Sequence, residues 1–497
     1  MIKVVSVENM RKSDAYTGEH TVSFRELMSR AGDAIFAAVD WHPPVAVVCG
    51  AGNNAGDGFA VAALLKDAKI PCTVFLISNK ISETAQFFFN KCVTLGVDIR
   101  RGIENLCLDG FGTVLDCIFG TGFRGDVTEP YRTAIERINQ SGAYTVSADI
   151  NSGLNGDSGL CEICVNSDLT VSIGSYKSGL FLNCAKDHIK SKINCDIGIE
   201  LIDKPAYLIE KEDIRHLFAK RPHNSNKGDY GYVALIGGSL RYSGAAKLSN
   251  LALAALRSGA GVSKLAVPKT LSSAVLPYLL ESTLFPLDDK DGEYRFSKAE
   301  ISELMTHTAS AAVGMGMGRS EEIAHLLRYL LSEYSGNLVI DADGLNVLSG
   351  MDRQVLRNAS CRVILTPHPK EFERLCGEKI ENFRHDIIAA AKTFAKGSGT
   401  ILLLKGPTTV ITDGDTVYLA DRGCGGMATA GSGDVLCGIL AGICGYVKDS
   451  ELLLGVAAGA YLAGFAGEIA SQDIPEAAMT AGDTVRAIPA AMREILA

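Results

Sequence analysis

The chain has 497 residues, 47% hydrophobic and 21% charged, with a formal net charge of −9. That length exceeds one ordinary core and points to two domains, and the composition is that of a folded globular protein, not a disordered one. The acidic balance, with no basic patch standing out, argues against a nucleic-acid partner, because binding a phosphate backbone needs a basic face.

The N-terminus, MIKVVSVENM, carries no apolar signal core. Val45–Cys49, Thr73–Ile77, Thr113–Phe119, Thr145–Ile150 and Leu169–Ile173 are short apolar runs rich in β-branched residues. Helical stretches such as Gly58–Leu65 and Thr84–Leu95 separate them, which predicts a parallel sheet with helices on both faces. Ligands of such sheets sit at the C-terminal strand ends, and the polar clusters fall there. CGAGNNAGDGFAVAALL, Cys49 to Leu65, reads as strand, glycine turn and helix, the logic of a phosphate-binding turn without GxGxxG spacing. Asn53, Asn54 and Asp57 add polar groups that a mere turn would not need. VLDCIFGTGFRGD places Asp116 in the third strand ahead of a glycine turn, and SADINSG places Asp149 at the end of the fourth. Asn54, Asp116 and the Ser152 region would together offer oxygen ligands suited to a hard cation.

Fourteen scattered cysteines suit a reducing cytoplasm. The one C-x-x-C, Cys161 to Cys164, lacks a second pair or a nearby His and reads as an ordinary pair, not a metal or redox site. A boundary falls between Leu201 and Arg221, punctuated by Lys204-Pro205 and Arg221-Pro222, giving domains of residues 1–210 and 211–497.

HNSNKGDYG then opens a second alternating series, with strands at Tyr232–Ile236, Ser263–Val267, Leu338–Asp341, Arg362–Thr366 and Thr400–Lys405. Helices follow Gly244, Ser320, Lys370 and Gly433, the first running through SGAAKLSNLALAALRSGAG. Gly237-Gly238-Ser239 allows a ligand close to the backbone or is a plain tight turn. DADGLN puts Asp341 and Asp343 at a strand end, for metal or substrate contact or for helix capping by Asp343. In LTPHPKEFERL, Pro367 and Pro369 stiffen the loop around His368. Lys405, ending a buried strand, sits near nucleotide phosphates or snorkels at the surface. GCGGMATAGSGDVLCGIL, Gly423 to Leu440, leads small residues into a helix whose unpaired N–H groups and dipole suit a phosphate. Asp434 there can take a proton from a hydroxyl as that hydroxyl is phosphorylated. The apolar run Leu452 to Gly467 is short for a bilayer span and flanked by Glu451 and Glu468, so it reads as a buried helix, not a membrane segment.

In this order and spacing, GGS, DADGLN, TPHPKEF, LKGPTT and GMATAGSGD resemble the ribokinase-like ADP/ATP-dependent NAD(P)H-hydrate dehydratase domain over Glu212 to Ala497. The first-half motifs, with LMSRAG at Leu27 to Gly32, resemble the NAD(P)H-hydrate epimerase domain of the YjeF N-terminal type over Met1 to Ile209. The expected architecture is therefore α/β: an N-terminal Rossmann-like three-layer sandwich and a C-terminal ribokinase-like domain. The resemblance implies that NADH or NADPH hydrated on its nicotinamide ring is epimerised by the first domain. The second would restore it by phosphorylating and eliminating the hydroxyl, with ADP preferred over ATP and magnesium admitted as an accompanying ion.

Carried over by motif, Asp434 is the base and contacts the hydrate with Ala245, Gly318 and His368. Lys405, Gly406, Pro407, Thr408 and Thr409 bind the nucleotide, with Gly433 and part of the run Gly426 to Gly433. In the first domain the resemblance implies potassium on Asn54, Asp116 and Ser152. It implies hydrate contacts from Asn53, Asn54, Ala55, Gly56 and Asp57, from Gly120, Thr121, Gly122, Phe123, Arg124, Gly125 and Asp126, and from Asp149, the acid/base residue. The family's GPGLG is GMGMG here and its HPGE is HPKE, so Lys370 adds a phosphate contact or faces solvent. Its NNGGDG is NNAGDG, where Ala55 would tighten the pocket. Its DIPSG is DINSG, where Asn151 would loosen the loop holding Asp149. Relatives suggest a cytoplasmic homo-oligomer. The rival reading is a small-molecule kinase, for instance of a vitamin precursor, with a non-catalytic N-terminal ligand-binding module.

Overall fold

The computed structural model describes residues 1–218, 221–254 and 259–497. The chain divides into two compact units, Lys3–Ala206 and Tyr207–Ala497, the latter taking in Met1–Ile2.

In the first unit a parallel sheet runs Asp98–Arg101, Cys72–Leu76, Val45–Cys49, Thr113–Cys117, Tyr144–Ala148, Leu169–Ile173, Lys192–Cys195. Val45–Cys49 and Thr113–Cys117 are buried at every position, the continuous apolar run expected of strands covered on both faces. From Val45–Cys49 the chain builds outward to Asp98–Arg101, then returns to add Thr113–Cys117 on the other side. The crevice where strand order reverses therefore opens between the loop after Cys49 and the loop after Cys117, where such sheets bind ligands. The helix Asn53–Asp67 starts in that crevice from Gly52, with no side chain capping its first turn, so its leading N–H groups face the opening.

Two expectations about this unit are corrected. Ala55 lies inside the helix Asn53–Asp67 and is fully buried, so its methyl fills core and does not narrow a pocket. Asn151 ties its loop down. Its Nδ2 donates to Val165 O at 2.8 Å and Ser167 Oγ at 2.9 Å, and its Oδ1 accepts from Thr170 Oγ1 at 2.6 Å.

The second unit's sheet runs Thr283–Leu287, Val262–Pro268, Tyr232–Ile236, Thr308–Val313, Asn337–Ile340, Arg362–Leu365, Ile401–Leu404, Thr409–Thr412, Val417–Ala420, then Ala206–Leu208. Pairing is parallel except on both sides of Thr409–Thr412. Its order reverses between Tyr232–Ile236 and Thr308–Val313, so the loops at Gly237–Ser239 and Gly314–Gly318 flank the ligand crevice. Gly314 has φ 121° and a Cβ there would stand 1.9 Å from Asp341 O, a position only glycine fits. Met315 and Met317 are buried, so the methionines of GMGMG pack inward.

The helix Ser432–Cys444 is buried from Val435 onward and lies against the helix Ser243–Ala254. A Cβ at Gly438 would stand 2.2 Å from Ser249 O, so the two backbones touch. The predicted continuation of the latter helix through residues 255–258 lies outside the described residues. The helix Leu452–Asp473 is long and apolar enough to cross a membrane by length and composition. Its Leu452, Val456, Leu462 and Ala466 are buried in the hydrophobic core of the unit.

Candidate active sites

The first unit holds a cavity of about 760 Å³ at its crevice, lined by Asn53, Asn54, Asp57, residues 120–124, Asp149 and two groups that motif reading passed over, Asp14 and Lys177. Ala55 and Gly56 do not line it. Gly56 packs on Met28, where a Cβ would meet the thioether at 2.4 Å. Gly125 and Asp126 are exposed beyond its rim.

Asp149 sits at φ 66°, a left-handed conformation that an Asp adopts at a cost. That turn brings its carboxylate onto Lys177 Nζ. The Lys177 ammonium also donates to Ile173 O at 2.7 Å, and the side chain is 1% exposed. A buried ammonium requires such partners. Burial pushes Asp14 up to about 6, with Lys177 opposing and Asp149 adding to the rise. Burial also drives Asp57 well above the usual carboxylate range, with Asp149 and Asp14 reinforcing it. Burial and like-charge repulsion thus favour the protonated forms of Asp14 and Asp57 beside the Asp149–Lys177 pair, so the cavity offers groups that can serve as acid and as base.

A second cluster lies beside the cavity. Asp116 is buried, and its Oδ1 accepts from Ser152 Oγ at 2.5 Å while its Oδ2 accepts from Ser152 N and Ser147 Oγ at 2.9 Å. Asn54 Nδ2 donates to Phe119 O at 2.8 Å, and Phe119 N donates to Ser152 Oγ at 2.8 Å. Asn54, Asp116 and Ser152 thus meet around one turn. Asn54 Oδ1 is buried there with no hydrogen-bond partner, an arrangement that normally calls for a ligand.

In the second unit Lys405 Nζ is 2.8 Å from Asp341 Oδ1 and 4.0 Å from Glu371 Oε2. Burial works to lower the ammonium's pKa, but Asp341 and Glu371 outweigh it and hold it above the ordinary value. This Lys is therefore an interior partner, not a snorkelling one. Thr366 Oγ1 donates to Asp341 Oδ1 at 2.8 Å. Asp343 does not cap the helix Ala342–Leu348. Its Oδ2 accepts from Gly318 N at 2.9 Å, because Ala342, at φ 49°, turns the chain back toward the Gly314–Gly318 loop.

Asp434 stands in the first turn of the helix Ser432–Cys444, which begins at left-handed Gly431. Burial, then the charges of Asp341 and Asp343, push its carboxyl up to about 7 against the pull of Lys405. A Cβ at Gly433 would be 3.5 Å from both Asp341 Oδ2 and Lys405 Nζ, so this helix end abuts the ion pair. Ser432 Oγ is buried there without a partner, a group the motifs did not single out.

His368 caps the helix Pro369–Cys376: Nδ1 accepts from Lys370 N at 3.1 Å and from Glu371 N at 3.3 Å. Burial lowers its pKa, with Glu371 opposing, so the ring is neutral and Nε2 carries the proton. Lys370 is exposed and faces solvent. Lys405 to Thr409 form the turn between Ile401–Leu404 and Thr409–Thr412, with Gly406 and Pro407 exposed and Thr408 Oγ1 donating to Asp421 at 2.6 Å. Ala245 lies in the first turn of the helix Ser243–Ala254. Asp341, Asp343, Lys405, Gly433 and Asp434 are brought together, and Gly318 joins them through Asp343.

Residues 233–490 match the family described as NAD(P)H-hydrate dehydratase, and residues 25–179 that described as YjeF-related protein N-terminus. A bifunctional NAD(P)H-hydrate repair enzyme of Moorella thermoacetica is 32% identical over 100% of this chain and 97% of its own. Among solved structures, a Bacillus subtilis ADP/ATP-dependent NAD(P)H-hydrate dehydratase co-crystallised with ATP and Mg²⁺ matches 58% of this chain and 99% of its own, at 24% identity and TM-score 0.50. A ribokinase-like protein of Enterococcus faecalis matches 60% and 98%, at 23% identity and TM-score 0.50. These last two likenesses establish the fold of the second unit.

Proposed function

The chain belongs to the family of bifunctional NAD(P)H-hydrate repair enzymes, and from that premise we propose how its residues divide the work. The second unit dehydrates hydrated NADH or NADPH with ADP as phosphoryl donor, and the first interconverts the two epimers. The observation that carries this reading is Asp434, a carboxyl near pH 7 set among helix-end amides and the Asp341–Lys405 pair. As the ring hydroxyl attacks the terminal phosphorus, Asp434 takes its proton. The amides at Gly433 and the helix dipole stabilise the charge gathering on the transferring phosphoryl group, and Lys405 adds a fixed positive charge beside them. The phosphate then leaves with the C–O bonding electrons, the neighbouring ring carbon gives up a proton to solvent, and the ring double bond is restored.

Lys405 to Thr409 and the run Gly426 to Gly433 hold the nucleotide. Ala245, Gly318 and His368 hold the hydrate, His368 donating from Nε2. Magnesium would neutralise phosphate charge. Asp341 and Asp343 are the hard oxygen donors within reach of it, a donor set that fits such an ion.

In the first unit Asp149 acts as acid and base on the hydroxyl of the carbon that inverts. Lys177 holds and aims the Asp149 carboxyl, and Asp14 and Asp57 stand beside it as further proton-carrying groups. The unpartnered Asn54 Oδ1, with the oxygens of Asp116, Ser152 and Phe119, fits a large hard cation such as potassium, which would fix the turn that floors the cavity.

The vitamin-kinase alternative is not favoured, since relatives match both units together over the full chain. The test mixes both epimers of hydrated NADH with protein and ADP or ATP and follows the reduced ring's near-ultraviolet absorbance. Full recovery with release of inorganic phosphate supports both activities. Accumulation of a stable phosphorylated alcohol overturns the dehydratase, and rapid recovery of one epimer only overturns the epimerase.

A further inference from the structure

A group of sulfur and imidazole ligands in the first unit takes no part in either reaction. Cys161 Sγ lies 3.6 Å from Cys184 Sγ and 3.5 Å from His188 Nε2. The ligand atoms of Cys161, Cys184 and His188 all fall within 4.8 Å of one another. A zinc ion with Zn–S about 2.3 Å and Zn–N about 2.0 Å sets tetrahedral ligands roughly 3.8 Å apart for two sulfurs and roughly 3.5 Å apart for sulfur and nitrogen. The two closest separations here match those edges. His188 Nδ1 lies 2.7 Å from Asn166 Oδ1. Donation there leaves the Nε2 lone pair facing the thiols, the second-shell bond that orients metal-ligating histidines. The Asn166 main chain is itself anchored, since its backbone N donates to Asn139 Oδ1 at 2.8 Å.

We propose that Cys161, Cys184 and His188 form a three-ligand site for one zinc-class dication, with water completing the tetrahedron. Two thiolates and an imidazole select a soft or borderline ion over calcium or magnesium. On binding, the two thiols release their protons to solvent, the imidazole stays neutral, and nothing is oxidised or reduced. Cys184 gives up its hydrogen bond to Gly159 O. Cys161, Cys184 and His188 are each partly exposed, so the ion enters from the surface.

The consequence is mechanical. The segment bearing Cys161 and Cys164 and the helix Ala185–His188 both hold the loop after Asp149. Asn151 Nδ2 bonds to Val165 O and to His188 O, and Val165 N donates to Ser152 O at 3.0 Å. The metal would clamp these two segments over Asn151 and Ser152. It would stiffen the Asp116–Ser152 oxygen cluster without touching substrate.

The test uses full-length protein kept reduced, stripped with a chelator, then titrated with Co²⁺ and afterwards Zn²⁺. Thiolate-to-cobalt charge transfer and strong tetrahedral visible bands should saturate at about one equivalent per chain, and one equivalent of Zn²⁺ should erase them. Cys184→Ser and His188→Ala should lose the bands, while Cys164→Ser and, in the other unit, Cys376→Ser should keep all of the charge transfer. Cys184→Ser should keep the first-unit melting transition of the metal-free wild type, which shows that it folds. If it does not fold, the wild type decides: Zn²⁺ at one equivalent must shield Cys161 and Cys184 from alkylation. No bands in the wild type, undiminished bands in Cys184→Ser, or no shielding would each overturn the site.

Discussion

Asp434→Asn separates catalysis from stability, and the two effects have opposite signs. The carboxyl sits near 7 against an ordinary 3.8, so the fold prefers its protonated form by about 3 pH units, on the order of 4 kcal/mol. Burial is the first cause and the Asp341 charge the second. Because the folded-state pKa is raised, the folded protein binds this proton more tightly than the unfolded chain does. The stability contribution is full below about pH 4 and is lost as pH rises through 7. Above pH 8 the wild type carries the whole penalty of a buried charge, and an amide of the same shape carries none. Water at the exposed edge of Asp434 screens part of this, leaving about 2 kcal/mol, or roughly 3 °C in the melting of a unit this size. Scanning calorimetry from pH 4.5 to 8.5 should show the second unit's transition rising in the variant at pH 8 and converging on the wild type toward pH 4.5, with the first unit's transition unmoved. Turnover of the hydrate should fall by about 10²–10⁴-fold, the usual worth of a positioned base. Near-normal turnover, or a stability gap equal at both pH extremes, would refute the assignment.

For the wild-type dehydratase, kcat/KM should rise about tenfold per pH unit in acid and level off near 7, as the free enzyme's base loses its proton. Lys405→Met removes the charge that lowers Asp434, so this limb should move alkaline while nucleotide KM rises; an unmoved limb would contradict the coupling. Asn54→Ala deletes the unpartnered oxygen and should abolish the advantage of potassium over sodium in epimer exchange, measured by separating the two epimers over time. Lys177→Met should slow that exchange by about 10²-fold or more while the dehydratase reaction on the accepted epimer proceeds unchanged. Loss of both activities would mean that Lys177 serves the fold alone.

The buried strands were legible because both faces are covered and the runs are apolar throughout, as in Val45–Cys49. The edge strands Asp98–Arg101 and Lys192–Cys195, written DIRR and KINC, were not, since exposed edges carry no such pattern. Thr308–Val313, TASAAV, escaped because small residues give little β signal. Site groups at strand ends inside glycine motifs could be read from order and spacing. Lys177 and Asp14 could not, because nothing local marks a Lys as buried or an acid on the helix Val7–His20 as facing a cavity. Cys184 and His188 were missed for a related reason. The C-x-x-C at Cys161 finds its partners only through the fold, although the C-x₃-H spacing of Cys184 and His188 was there to be noticed. Ala55 and Asn151 were misjudged because a departure from a motif was read as a loss, when helix packing in one case and four side-chain hydrogen bonds in the other absorb it.

The seam at Gly438 and Ser249 has a bearing on how the second unit can move. Where main chain rests directly on main chain there is no rotamer to relax, and the two helices travel as one piece. One of them carries Ala245 near its start, and the other carries Asp434. Whatever loops open to admit a dinucleotide, the span between Ala245 and Asp434 stays constant, like the jaws of a gauge locked at one setting.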